Sequence, residues 1–93
     1  MELELLYLKS DNFWTPDYDC ILISNQASLL RLDAKASFVF YNLIIKKNRH
    51  VTLYSSKNIF YSEIQSIINS LKENDVVCEN ILNSSSDYQP ISF

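Results

Sequence analysis

The sequence predicts a small α/β fold of the α+β type: a single-domain sandwich with one mostly antiparallel sheet of four to five strands and two helices packed on one face. Three observations carry that expectation. Short apolar runs in the first third are separated by turn-forming residues. Asp33 precedes Ala34-Lys35-Ala36, the signature of a capped helix start. Phe60, Ile64, Ile67, Ile68 and Leu71 fall on one helical stripe. With 93 residues, 47% hydrophobic and 20% charged, the chain suits one folded domain over 1–83, followed by a tail over 84–93.

Taken in order, Glu2 to Leu8 is Leu-rich, partly alternating, and reads as a first strand. Ser10 to Asp19 reads as a loop, because Asp11-Asn12, Pro16-Asp17 and Asp19 all suit turns. Cys20 to Ile23 and Leu29 to Leu32 read as short strands joined by a turn at Ser24-Asn25-Gln26. Without glycine, that turn is expected to use Asn25 at positive φ. A helix from Asp33 to about Lys47 follows, its two lysines complementing the dipole and Asn48 ending it. Phe38 to Ile45 also has the propensity of a buried strand; the cap, the Ala start and the basic end favour the helix. His50 to Ser55 reads as a strand. Asn58 is the expected cap of a second helix, Phe60 to Glu73, and Val76 to Leu82 gives a last strand.

Composition excludes several chemistries. The chain contains no glycine, where roughly six would be expected at ordinary frequency. Phosphate-cradling loops, the dinucleotide fingerprint and the serine nucleophile elbow are therefore absent in their usual form. Cys20 and Cys78 lie far apart in apolar runs, where cysteine behaves as a small hydrophobe, and would pair only if their strands were neighbours. With no CxxC and one histidine, no zinc set is expected, and no cofactor. His50, beside Arg49 and near Lys46 and Lys47, is poorly placed for a general base. Asp17 and Asp19 flank Tyr18 without a third catalytic partner. No enzyme signature emerges. The N terminus lacks a basic start and long apolar run, and no segment has 18 uninterrupted apolar residues, so a soluble cytoplasmic protein is expected.

Net charge is −3, unevenly spread. Residues 1–33 carry six acids against two bases, 34–57 five bases and no acid, and 58–93 five acids against one base. One reading pairs the acidic ends with the basic middle; the other leaves separate acidic and basic surfaces. Two clusters follow. Asp11, Phe13, Trp14, Asp17, Tyr18 and Asp19 mix acids with aromatics, the composition of a surface that anchors and steers a basic protein partner. Lys46, Lys47, Arg49, His50 and Lys57 form a basic stretch suited to phosphate contact. The aromatics serve equally as a lid on the core, and the lysines as helix-end complements.

No family motif is present. In size, acidity and its acidic-aromatic loop the chain is similar in general style to small bacterial immunity proteins and phage-encoded inhibitors, a likeness that carries no residue over. The expected function is thus a non-enzymatic protein-binding module, an immunity or inhibitor type (an antitoxin) that neutralises a basic toxin or nuclease. A small nucleic-acid-associated module using residues 46–57, or a structural subunit with Phe38–Ile45 at an interface, are the alternatives. The tail adds one expectation. Tyr88, Ile91 and Phe93 are too apolar to float free, and should dock over a strand edge or beside the second helix, with Asp87 turned to the basic middle. Deleting residues 84–93 is therefore expected to lower the thermal midpoint while partner binding is retained; an unchanged midpoint would rule docking out.

Overall fold

Turn chemistry, more than strand length, shapes the first half of the chain. The computed structural model describes residues 1–84, so the expected docking of Tyr88, Ile91 and Phe93 lies outside the described residues. Strand β1 (Tyr7–Leu8) leads to β2 (Phe13–Asp17), β3 (Cys20–Ser24) and β4 (Leu29–Leu32). The segment expected to be a loop thus contains a strand. β2 pairs antiparallel with β3 from Phe13↔Ser24 to Asp17↔Cys20. In a two-residue hairpin the closing pair exchanges hydrogen bonds, and every second pair does so again. Pro16, opposite Ile21, falls between those bonded pairs on the edge of the sheet, so its missing N–H costs no ladder bond. Tyr18 supplies the positive φ (56°) that the hairpin needs, a place where glycine is usual.

At the next turn Asn25 acts through its side chain, not through the expected positive φ. Its Oδ1 accepts from the N–H groups of Ala27 (2.8 Å) and Ser28 (2.9 Å), an Asx-type closure. The strands form two antiparallel sheets where one was expected: β2-β3-β4, and β1 paired with β5 (Val77–Cys78).

Helix α1 (Ala34–Phe40) is capped as the sequence predicts: Asp33 Oδ1 accepts from the Ala36 N–H at 2.8 Å. One turn in, Ser37 is buried between sheet and helix. Its Oγ accepts from the Ile21 N–H (2.8 Å) and donates to the Leu32 carbonyl (3.2 Å). Ile21 and Leu32 are register partners of β3 and β4, so this hydroxyl bridges the sheet ladder from the helix side. Val39, Phe40, Leu43 and Ile44 follow, all fully buried. The chain stays helical across Phe38–Ile45, but Tyr41–Ile45 widens to a π-helical turn. Lys47 at φ 59° then ends it, one residue before the expected Asn48.

The N-terminal segment pairs more sparsely than a full strand. Leu3, Leu6 and Leu8 are buried, and around the Glu2↔His50 bridge the Leu3 N–H donates to the Arg49 carbonyl (2.8 Å). Lys47 Nζ donates to the Leu6 carbonyl (2.7 Å), and Arg49 Nε to that of Leu3 (2.7 Å). His50–Ser55, expected as a strand, pairs only at its start and then turns into the single-turn helix α2 (Thr52–Ser55). Its propensity is overridden by burial of Tyr54, whose ring meets Phe38 edge-on at 5.9 Å. Burial pushes the Tyr54 hydroxyl up to about 12.

Asn58, at φ 57°, links α2 to α3 (Tyr61–Glu73) and does not cap it; Phe60 takes the cap position without a side-chain bond. α3 buries Ile64, Ile68 and Leu71 of the expected stripe and half-buries Ile67, whereas Phe60, its expected first member, sits at the cap position 68% exposed. The last expected strand shortens to β5, then a 3₁₀ turn at Ile81–Asn83 where Asn80 Oδ1 accepts from the Leu82 N–H. α1 packs on β3, β4 and α3, while α3 lies against β5. Among the described residues, no helix is long and apolar enough to cross a membrane.

The Ser37 bridge yields a test. Ser37→Ala leaves the buried Ile21 N–H without its acceptor and is expected to cost about 1–3 kcal/mol. Exposed Ser66→Ala should stay within about 0.5 kcal/mol. Urea unfolding of the two variants makes the comparison.

Candidate functional site

The hairpin that Tyr18 closes leans beside α1, and between them runs a hollow of about 700 Å³. The hairpin side contributes Trp14, Pro16, Tyr18, Asp19, Cys20 and Ile21, and the helix side Ala34, Lys35, Ser37, Phe38 and Tyr41. Lys57 and Ile59, from the turn between α2 and α3, complete it. Its walls are mostly apolar and it is open to solvent.

The acidic-aromatic residues do not form one surface. Trp14 is 6% exposed, its ring edge-on to Phe40 (6.3 Å) and Tyr41 (5.8 Å), so it serves as core with one face towards the groove. Tyr18 is the opposite case at 98% exposed. Asp17 is paired to Arg31, and that carboxylate, with Cys20 adding to it, holds the guanidinium above its ordinary range. Asp19 is exposed on the groove rim. Asp11 stands at the other end of β2, at φ 69°, beside a smaller polar hollow of about 310 Å³ with Lys9, Asn12, Asn25 and Asp75. Phe13, 42% exposed, starts the same strand and lines neither hollow.

The basic stretch is likewise divided. Arg49 binds the Leu3 carbonyl and lies 3.7 Å from Glu2, whose carboxylate is also 3.9 Å from His50 Nε2. Lys47 Nζ, besides its bond to Leu6, sits 4.2 Å from the Tyr7 ring centroid. Desolvation lowers its pKa below the usual lysine value. Lys46 rests over the Tyr41 ring at 5.5 Å. Of the five, Lys57 alone lines the groove, with its ammonium 5.7 Å from the Phe38 centroid. Pairing of acidic ends with the basic middle is present at Glu2–Arg49 and at Lys35–Glu63 (2.8 Å). The Lys35 hydrogen bond holds the Glu63 carboxyl below its ordinary range.

Sequence reasoning missed the helix-side wall. Lys35, Phe38 and Tyr41 share a face at i, i+3, i+6, whereas the sequence reading assigns Lys35 to the helix start and Phe38 and Tyr41 to a buried or subunit-interface run. Cys20, in β3, and Cys78, in β5, are both free thiols in different sheets. Among the described residues no group of three or more His, Cys, Asp or Glu side chains is arranged to hold a metal ion. Comparison with protein-family models, curated proteins and solved structures gives no match.

The burial of Trp14 predicts how its variants behave. Trp14→Ala should destabilise the fold by about 3–5 kcal/mol. Phe13→Ala, at a half-exposed position, should lose about 1 kcal/mol. Denaturant unfolding separates them, and a Trp14→Ala protein as stable as wild type would contradict the core assignment.

Proposed function

We propose that this chain is a non-enzymatic protein-binding module of the immunity or inhibitor type, which occupies a basic cleft of its partner with the β2–β3 hairpin tip. The observation that carries the reading is Tyr18: a large aromatic, 98% exposed, fixed on a two-residue turn at positive φ and flanked by two carboxylates. A left-handed backbone disfavours a bulky residue by about 1–2 kcal/mol, and nothing in the packing of the hairpin requires a ring there. Aromatic anchors of this kind dominate interface energetics, and a turn that is already rigid loses little entropy on binding. Asp19 offers an open negative charge beside the ring. Asp17 is held in place by Arg31, so it would contribute orientation more than steering.

The partner-binding set is thus narrowed from the whole 11–19 segment to Tyr18 and Asp19, with Asp17 in support. Phe13 and Asp11 lie at the far end of the strand, and Trp14 supports the fold. The basic stretch does not act as one surface, since Lys47, Arg49 and His50 stitch the N-terminal segment to the chain after the helix and leave Lys46 and Lys57 apart from them. A cytoplasmic setting fits the two free thiols.

The test begins with recovery of a partner from the native host and continues with purified proteins. Tyr18→Ala should weaken binding by about 2 kcal/mol or more, as a hot spot does, while the melting midpoint does not fall. Binding at wild-type strength by Tyr18→Ala, and by Asp19→Ala as well, would refute the hairpin interface.

A further inference from the structure

The groove beside the hairpin has chemistry that the partner-capture reading does not use. We propose that it is a binding site for a small apolar carboxylate, an alkyl or aryl chain ending in a single acid group. Two observations, independent of the exposed tip, carry this. The first is shape and lining. About 700 Å³ lies within the range of small-molecule sites, roughly 300–1,000 Å³, and the walls include Trp14, Phe38, Tyr41 and Ile59. The second is charge. Among the described residues, Lys9, Lys35 and Lys72 each have a carboxylate within 3.1 Å, and both arginines are paired as well. Lys46 and Lys57 have none among those residues. Each instead rests its ammonium on an aromatic ring of the groove wall, Tyr41 at 5.5 Å and Phe38 at 5.7 Å.

A cation on an aromatic face beside an apolar hollow is half of a recognition site for an amphipathic anion. The apolar body leaves water against the rings, and the carboxylate meets an ammonium that pairs with no acid among the described residues. Asp19, across the groove on the hairpin, gives the site a direction. It repels the acid group from that wall and turns it to the side of Lys57.

The test uses the full chain, isotope-labelled, and two probes with the same tail and opposite heads, dodecanoate and dodecyltrimethylammonium, both below micelle formation. Dodecanoate is expected to shift the amides of Cys20, Phe38 and Lys57 and the Trp14 indole signal, and to bind about fivefold or more tightly than the cation. Lys57→Glu should remove that preference without loss of signal dispersion, because the side chain is exposed. Ala34→Trp, at an exposed lining position, should block both probes. Equal binding of the two heads, shifts confined to other surfaces, or no saturable shift would each overturn the proposal. The probes contain no protein surface, so their failure leaves partner capture by Tyr18 to its own experiment.

Discussion

The arrangement of this protein depends on one hydroxyl. Ser37 Oγ takes the Ile21 N–H and gives its own proton to the Leu32 carbonyl, tying two strands and a helix at a single point. The Asp33 cap fixes where α1 begins, and one turn later the helix presents Ser37 to the sheet. Everything that α1 and its π-helical turn carry into the core follows from that seating: Val39, Phe40, Leu43 and Ile44 are fully buried, and Trp14 from β2 closes on Phe40 and Tyr41. The groove is the space left on the solvent side of the same contact, which is why Ser37 appears in its lining. Sheet, core and hollow are therefore mechanically one unit.

A chain without glycine must make its left-handed turns with side chains attached. Asp11, Tyr18, Lys47, Asn58 and Asp75 do so. For Asp and Asn this conformation is comparatively easy, since a short polar side chain tolerates it. Tyr18 and Lys47 are different, because a bulky or long side chain brings no such relief. Lys47 puts its ammonium on the Leu6 carbonyl and the Tyr7 ring, so the residue that ends the helix also fastens the N-terminal segment. Tyr18 has no corresponding hydrogen bond or ring contact among the described residues, where it is 98% exposed, and that contrast supports reading it apart from the structural turns.

The elements set by strong local chemistry were legible in the sequence. The Asp33 cap, the α3 stripe from Ile64 to Leu71, and the β3 and β4 runs appear where periodicity and capping place them. What could not be read depended on position in the tertiary structure. Pro16 looks like a loop residue until the ladder alternation shows that its nitrogen faces an edge. His50–Ser55 has strand propensity, yet Tyr54 is needed in the core and the backbone coils to deliver it. The division of β1 and β5 into a second sheet has no local signature at all. At the site, Tyr18 and Asp19 were visible by composition. Trp14 was ambiguous, since the same ring serves an interface or a core. Lys35, Phe38 and Tyr41 were hidden because a helix face seen alone does not reveal what stands opposite it.

The sparse pairing of the N-terminal segment has a cost in chain entropy. Met1 to Leu8 finds its partners at Arg49–Val51, at Val77–Cys78 and through Lys47, all distant along the chain. The contacts that seat Leu3, Leu6 and Leu8 therefore close loops of 41 residues or more. Such closures cost more freedom than the local β2–β3–β4 ladder, so the segment rests on the burial of its three leucines more than on its few hydrogen bonds.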